Sequence, residues 1–199
     1  MTIDLHAIHD DDADLVIAWR QGEISAFEEL VRKYQKRMLN IAYRCVGNYE
    51  DACEVTQYAF VAAYRGRDAF RGAARFSIWL TGITVKLSRN RLRKIGSGRD
   101  DRAVSSEVQV ARGNGGVTRE IPASAPDQLV WHDLSGKIQE CISSLDADSR
   151  EMIVLRDVQG FSYDEVCAIL SIREGSVKSR LSSARELVKD CLKRATGAL

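Results

Sequence analysis

Residues 161–185, FSYDEVCAILSIREGSVKSRLSSAR, decide how the rest of the 199-residue chain is read. Ser162 followed by Glu165 forms a capping box, which starts a helix at about Tyr163. Val166, Ile169 and Leu170 continue it as an apolar stripe at helical spacing. Segment 171–175 breaks the pattern, with Ser171 where such turns often carry Gly and Cys167 where a small residue lets two helices approach. Val177, Leu181, Ala184 and Val188 then recur at steps of four, three and four, the mark of a second helix. Its opposite face carries Gly175, Ser179, Ser182 and Ser183, flanked by Lys178, Arg180 and Arg185. A helix with small polar and basic residues outside fits a DNA major groove, because it sinks in, bonds base edges and reaches phosphates. A helix-turn-helix presents its second helix this way. Taken alone, the same residues also fit an ordinary helical hairpin with a solvated basic face.

Composition narrows the classes. The chain is 45% apolar and 29% charged with two prolines, as in a soluble helix-rich protein. No window approaches the apolar length of a membrane span, and the start is acidic (Asp10, Asp11, Asp12, Asp14) rather than signal-like, so a cytoplasmic protein is expected. The net charge of +1 argues against a protein that coats DNA non-specifically. Charge is uneven, however: between Arg65 and Arg102 eleven basic residues face three acids, a local polyanion-binding signal. The five cysteines, Cys45, Cys53, Cys141, Cys167 and Cys191, lack CxxC spacing and are odd in number, so they are expected as small core residues without a disulfide framework. His6 and His9 beside the Asp run are expected on a frayed terminus, not on a metal. No cofactor and no metal site are expected.

The remaining pattern is helical throughout, with no alternating strand period. A short helix ends at Gly22, Ser25 is placed to cap the next with Glu28 three residues on, and Asn48 caps a third. A fourth helix runs over about 76–94, with Phe76, Trp79, Leu80, Ile83 and Leu87 on one side and Lys86, Arg89, Asn90 and Arg93 on another. Segment 96–126 holds five of the fourteen glycines, both prolines and no aromatic, and reads as a flexible linker. The expected architecture is all-α: an acidic disordered start (1–12), a first helical domain (13–95), the linker (96–126) and a second helical domain (127–195) closed by the helix-turn-helix. The two domains are expected to be joined only by the tether.

Several strings taken together are specific: AFEELVRKYQKRMLNIAYR, EVTQYAFVAAYR, FRGAARFSIWLTGI, LRDVQGFSYDEVCAIL and GSVKSRLSSAR. With them the chain resembles the extracytoplasmic-function sigma factors, the compact branch of the bacterial sigma-70 family. The resemblance covers about 13–94 and 127–193. It implies a promoter-specificity subunit that binds core RNA polymerase and recognises −10 and −35 elements. It implies docking on the clamp helices of the largest polymerase subunit by Glu54, Gln57, Tyr58, Phe60 and Tyr64, with Tyr58 where the family usually has a carboxylate. It implies capture of the unpaired −10 strand by Phe70, Arg71, Arg75, Phe76, Trp79, Lys86 and Asn90, although the spacing of Phe76 and Trp79 equally fits core packing. Opened DNA offers base faces to aromatics and phosphates to Arg and Lys, which makes that assignment physically sensible. Ala73 replaces a usual acid, and Lys86 stands where the family often has a base-reading Asn. It implies −35 contacts by Arg173, Ser176, Lys178, Ser179, Arg180 and Ser183, with Lys178 and Arg180 on phosphates. An anti-sigma factor acting in trans is the implied regulator; no small-molecule substrate and no membrane insertion are implied.

Two other classes stay in view. A homodimeric helix-turn-helix regulator should carry a dimerisation or ligand domain, where this chain has a docking helix and a basic aromatic loop. An enzyme acting on nucleic acid should carry clustered carboxylates for Mg²⁺. No P-loop or GxSxG string is present.

Overall fold

The computed structural model describes residues 11–72, 74–97 and 126–197, with the backbone alone for 126–134. Residues 1–10 of the expected acidic start and most of the expected linker lie outside these residues; Asp12, expected on the disordered start, is instead buried, accepting from Lys33 (2.5 Å) and Tyr34. Every regular element among the described residues is helical: α1 Ala13–Gln21, α2 Ile24–Val46, α3 Tyr49–Arg65, a 3₁₀ turn Arg67–Ala69, α4 Phe76–Gly96, α5 Pro126–Ser143, α6 Ala147–Ile153 continued by a π turn Val154–Val158, α7 Tyr163–Leu170 and α8 Glu174–Thr196.

The first four helices pack around one aromatic cluster. Trp19 of α1 lies 5.4 Å from Phe27, 5.5 Å from Phe76 and 6.3 Å from both Phe70 and Trp79, ring centre to ring centre. Offset and edge-on pairs of this kind add about 0.5–1.5 kcal/mol each beyond burial. Leu30, Met38, Ile41 and Leu80 complete the core. Gly66 lets the chain turn tightly here, since a Cβ there would meet the Ala62 carbonyl oxygen at 2.9 Å and the Trp79 ring at 3.5 Å.

Local signals set most boundaries. Gly22 ends α1 in the left-handed region, at φ 105°. The Asn48 side chain accepts from the Asp51 amide (3.0 Å) and starts α3. Asp146, not Asp148, starts α6 by accepting from the Ser149 amide (3.1 Å). The Ser162–Glu165 capping box forms in both directions. The expected cap at Ser25 does not form: α2 begins two residues earlier, at Ile24, and Glu23 occupies the cap position without a side-chain bond.

Two expectations are corrected by contacts distant in sequence. Cys141 of α5 and Cys191 of α8 are joined by a disulfide, because α8 folds back across α5 and brings their Cα atoms to 5.7 Å. Cys45, by contrast, is buried as expected. The two helical halves are also not held by a tether alone. They pack directly, α4 against α7 and α2 against α5, α6 and the π turn. Arg44 of α2 donates to the Gln139 side chain (3.0 Å), Arg150 donates to the Cys45 carbonyl (2.7 Å), and the guanidinium of Arg37 lies 4.3 Å from the centre of the Phe161 ring.

Ser171 joins α7 to α8 with φ 55°, the sole non-glycine residue in the left-handed region among those described. A Cβ in that conformation costs about 1–2 kcal/mol. Ser171→Gly should therefore raise unfolding free energy by about 0.5–1 kcal/mol after the entropy that glycine adds to the unfolded chain. Urea unfolding followed by circular dichroism measures this; an unchanged or lower midpoint would refute the strain.

Candidate nucleic-acid and partner surfaces

Helix α3 presents one coherent exposed face. Its buried side carries Ala52, Val55, Thr56, Ala59, Phe60 and Ala63. Glu54, Gln57, Tyr58 and Tyr64 point the other way and are exposed, at helical spacing along one stripe. Tyr58 and Tyr64 keep 42% and 44% of their surface, the ring of Tyr64 lying 5.2 Å from that of Phe27. Arg91 of α4 pairs with Asp51 (2.6 Å) and sits 3.9 Å from Glu54, which anchors the base of the stripe. Phe60 is the exception among the five expected residues. It is 9% exposed and meets Phe27 edge-on at 6.5 Å, so it supports the helix from beneath.

The residues expected on unpaired DNA separate into two groups. Phe70 and Phe76 are 5% and 0% exposed, inside the aromatic cluster, and Trp79 is half-buried against both. In this arrangement they hold the loop to α4 instead of offering ring faces to bases. Packing fits the spacing because Phe76 and Trp79 fall one helical turn apart on the face turned to α1 and α2. Arg71 and Lys86 are exposed, and Arg75 and Asn90 are half-buried. Ala73 lies outside the described residues.

All six residues expected on the duplex are exposed along α8 and its cap: Arg173, Ser176, Lys178, Ser179, Arg180 and Ser183. Val177, Leu181 and Ala184 are buried behind them, which fixes the outward direction of this face. The hydroxyls of Ser179 and Ser183 donate back to the carbonyls of Ser176 (3.3 Å) and Ser179 (3.4 Å).

Acids of the chain's own second half occupy much of this cationic surface. Arg89 of α4 reaches across to Glu151 of α6 with both guanidinium edges, its Nε at 2.9 Å from one oxygen, and to Asp148 at 3.0 Å. Asp148 in turn accepts from Arg180 of α8 (2.9 Å). One acid thereby links the helix expected on the −10 strand to the helix expected on the −35 duplex. Arg75 pairs with Glu165 of the α7 capping box, Lys178 with Glu174 (2.6 Å), and Arg185 with Asp157 (2.6 Å). Glu151 is 3% exposed, and burial pushes its carboxyl up from the usual range while Arg89 pulls it down. The same bond raises the Arg89 guanidinium, which compensates a largely desolvated carboxyl group. Between α4 and α7 a cavity of about 450 Å³ opens, lined by Trp79, Lys86, Arg89 and Ile169 among others. These cross-domain pairs had no signal in the sequence beyond the presence of acids in the second half.

Among the described residues no group of three or more His, Cys, Asp or Glu could hold a metal ion, and no helix is long and apolar enough to cross a membrane. Comparison with known proteins gives the class first. Residues 30–97 match the model of sigma-70 region 2, and residues 135–188 match that of sigma-70 region 4. The chain is 36% identical over 182 residues to the ECF RNA polymerase sigma-E factor of Escherichia coli strain K12, spanning 89% of this chain and 92% of that one. It is 30% identical over 184 residues to the RNA polymerase sigma-H factor of Pseudomonas aeruginosa, spanning 92% and 94%. Among solved structures it is similar to CnrH in complex with the cytosolic domain of CnrY, at TM-score 0.66 and 25% identity over 93% of this chain and 99% of that one. The fold is also that of the sigma factor RpoE in complex with the anti-sigma factor NepR from Bartonella quintana, at TM-score 0.60 and 23% identity over 85% and 98%. The chain belongs to the ECF sigma factors of the sigma-70 family, and is thus an RNA polymerase sigma factor, a transcription initiation factor.

Removing Arg89 leaves Glu151 buried without its cation. Because Arg89 is itself 41% exposed, the loss is set at about 1–3 kcal/mol rather than the full cost of a buried pair. Arg89→Ala should loosen the two halves and raise the radius of gyration in small-angle scattering. An unchanged radius would show that the remaining contacts hold the halves together alone.

Proposed function

We propose that this sigma factor docks on the clamp helices of the largest subunit of core RNA polymerase through Glu54, Gln57, Tyr58 and Tyr64, with Phe60 buttressing them. The observation that carries this is the exposed stripe on α3, an acid and an amide followed by two tyrosines, backed by a buried opposite face. The factor then places α8 on the −35 duplex and the loop and outer face of α4 on the opened −10 strand. It brings no chemistry of its own and acts by binding. The cytoplasm is its place of work, where polymerase and promoter are.

On the duplex, Lys178 and Arg180 hold phosphates, while Ser176, Ser179 and Ser183 lie along the base-facing side, with Arg173 at the helix entry. On the opened strand, Arg71, Arg75, Lys86 and Asn90 supply backbone contacts, and the rings of Phe70, Phe76 and Trp79 shape the loop that carries them. Arg75, Lys178 and Arg180 are engaged by Glu165, Glu174 and Asp148, so DNA binding exchanges intramolecular carboxylates for phosphates. Separating the halves on polymerase would release Arg75 from Glu165 and Arg89 from Glu151 and Asp148, whereas Lys178 and Arg180 exchange partners within the second half. An anti-sigma factor that favours the packed state would keep Arg75 and Arg89 engaged; the relatives solved with CnrY and NepR make this mode of control the expected one.

Glu54→Lys with Gln57→Lys should weaken association with core polymerase at least tenfold by surface plasmon resonance, with the far-ultraviolet circular dichroism unchanged because both positions are exposed. Undiminished affinity would remove α3 as the dock. On a −35 duplex, Lys178→Ala or Arg180→Ala within the holoenzyme should weaken binding about equally across sequences and lower the salt slope by about one. Ser179→Ala should instead change base preference in a promoter library. A salt slope unaltered by either basic substitution would take those residues off the phosphates.

A further inference from the structure

We propose that Cys141 and Cys191 form a reversible thiol–disulfide pair that pins the last turns of α8 onto α5 when oxidised and releases them when reduced. Three observations converge. The two cysteines sit on separate helices with Cα atoms 5.7 Å apart, within bridging distance without backbone movement. Cys141 is fully buried whereas Cys191 is half-buried, so solvent reaches the pair from the α8 side. The fully buried residues of α8 are Val177, Leu181 and Ala184, all before its last three turns; Val188, Cys191 and Leu192 are half-buried. Beyond Ala184 the helix therefore depends on partial contacts plus the covalent link.

The chain neighbours of the two cysteines, Ile142 and Leu192, line an apolar groove of about 490 Å³. Ile142 lies on α5, Ile153 and Val158 on α6 and its π turn, and Val188 and Leu192 on α8, with Lys189 on the same stretch of α8. Oxidation fixes the spacing of the α5 and α8 walls; reduction lets the α8 wall move. In a compartment kept reducing by thiol buffers, a disulfide is characteristically transient and regulatory rather than a permanent staple. That premise rests on the cytoplasmic reading above. Two of the other three cysteines are poor competitors: burial pushes the Cys45 thiol up to about 12, and desolvation together with Glu174 and Asp164 raises Cys167.

The oxidant is a peroxide. The Cys191 thiolate attacks one oxygen of hydrogen peroxide, the O–O bond breaks, and hydroxide leaves to take a proton as water. The resulting sulfenic acid is attacked at sulfur by the Cys141 thiolate, the S–O bond breaks, and a second water departs. Two thiols lose two electrons and two protons, and one peroxide becomes two waters. A cellular thiol reverses this by exchange through a mixed disulfide, ending as its own disulfide.

The test uses the full chain, reduced with dithiothreitol or treated with stoichiometric hydrogen peroxide. Alkylation under denaturing conditions should find all five thiols in the reduced chain and three in the oxidised one. Amide hydrogen exchange over 188–196 should be at least tenfold faster in the reduced chain, with α2 unchanged. Cys191→Ser, at the half-exposed position, should exchange like the reduced chain even with peroxide present. Equilibration in glutathione buffers of increasing reduced fraction should open the bridge. A bridge that persists in excess reduced glutathione would be a fixed staple, five alkylatable thiols after peroxide would remove the bridge, and equal exchange in both states would remove the coupling; each overturns the proposal. None of these measurements uses polymerase or DNA, so their failure leaves the transcriptional role to be judged separately.

Discussion

The arrangement of the whole molecule depends on the ion pair between Arg89 and Glu151. A carboxylate that is 3% exposed is unfavourable unless a cation and further donors reach it, and the only way α6 meets that requirement is by lying against α4. Packing α6 there sets α7 opposite the loop before α4, where Arg75 finds Glu165, and sets the π turn beside α2, where Gln159 donates to Asn40 (2.8 Å). These polar contacts of defined geometry rest on an apolar core shared by the two halves, in which Ile142, Met152 and Phe161 belong to the same cluster as Met38, Ile41 and Leu80.

Such an interface suits a protein that must change partners. Polar contacts between domains are exchanged at small net cost, since each lost bond is replaced by water or by a phosphate. Glu165, Glu151 and Asp148 of the second half engage Arg75 and Arg89 of the first, while Glu174 and Asp148 engage Lys178 and Arg180 within the second. Asp148 is the central member, because it meets Arg89 and Arg180 at once. A near-neutral chain can therefore carry a strongly basic segment without binding every polyanion it meets. The exposed stripe of Gln57, Tyr58 and Tyr64 on α3 stays outside this arrangement.

The sequence by itself determined what short-range physics controls. The all-helical class, the caps at Asn48 and Ser162, the outward face of α8 and the apolar backs of α3 and α8 all follow from period, capping and turn chemistry acting within a few residues. The strings shared with sigma factors extended this to function. What tertiary structure alone decided involves residues far apart in the chain. An Arg at 89 and a Glu at 151 look like solvated charges until two helices bring them together. Phe60, Phe70 and Phe76 are as suited to a partner or a base as to a core, and only the cluster around Trp19 assigned them to packing. Cys141 and Cys191, fifty residues apart, carry no spacing signal, because a bridge depends on where α8 returns over α5 and not on the sequence between them. Periodicity is a property of one helix; pairing is a property of two, and their relative placement is written nowhere in the local pattern.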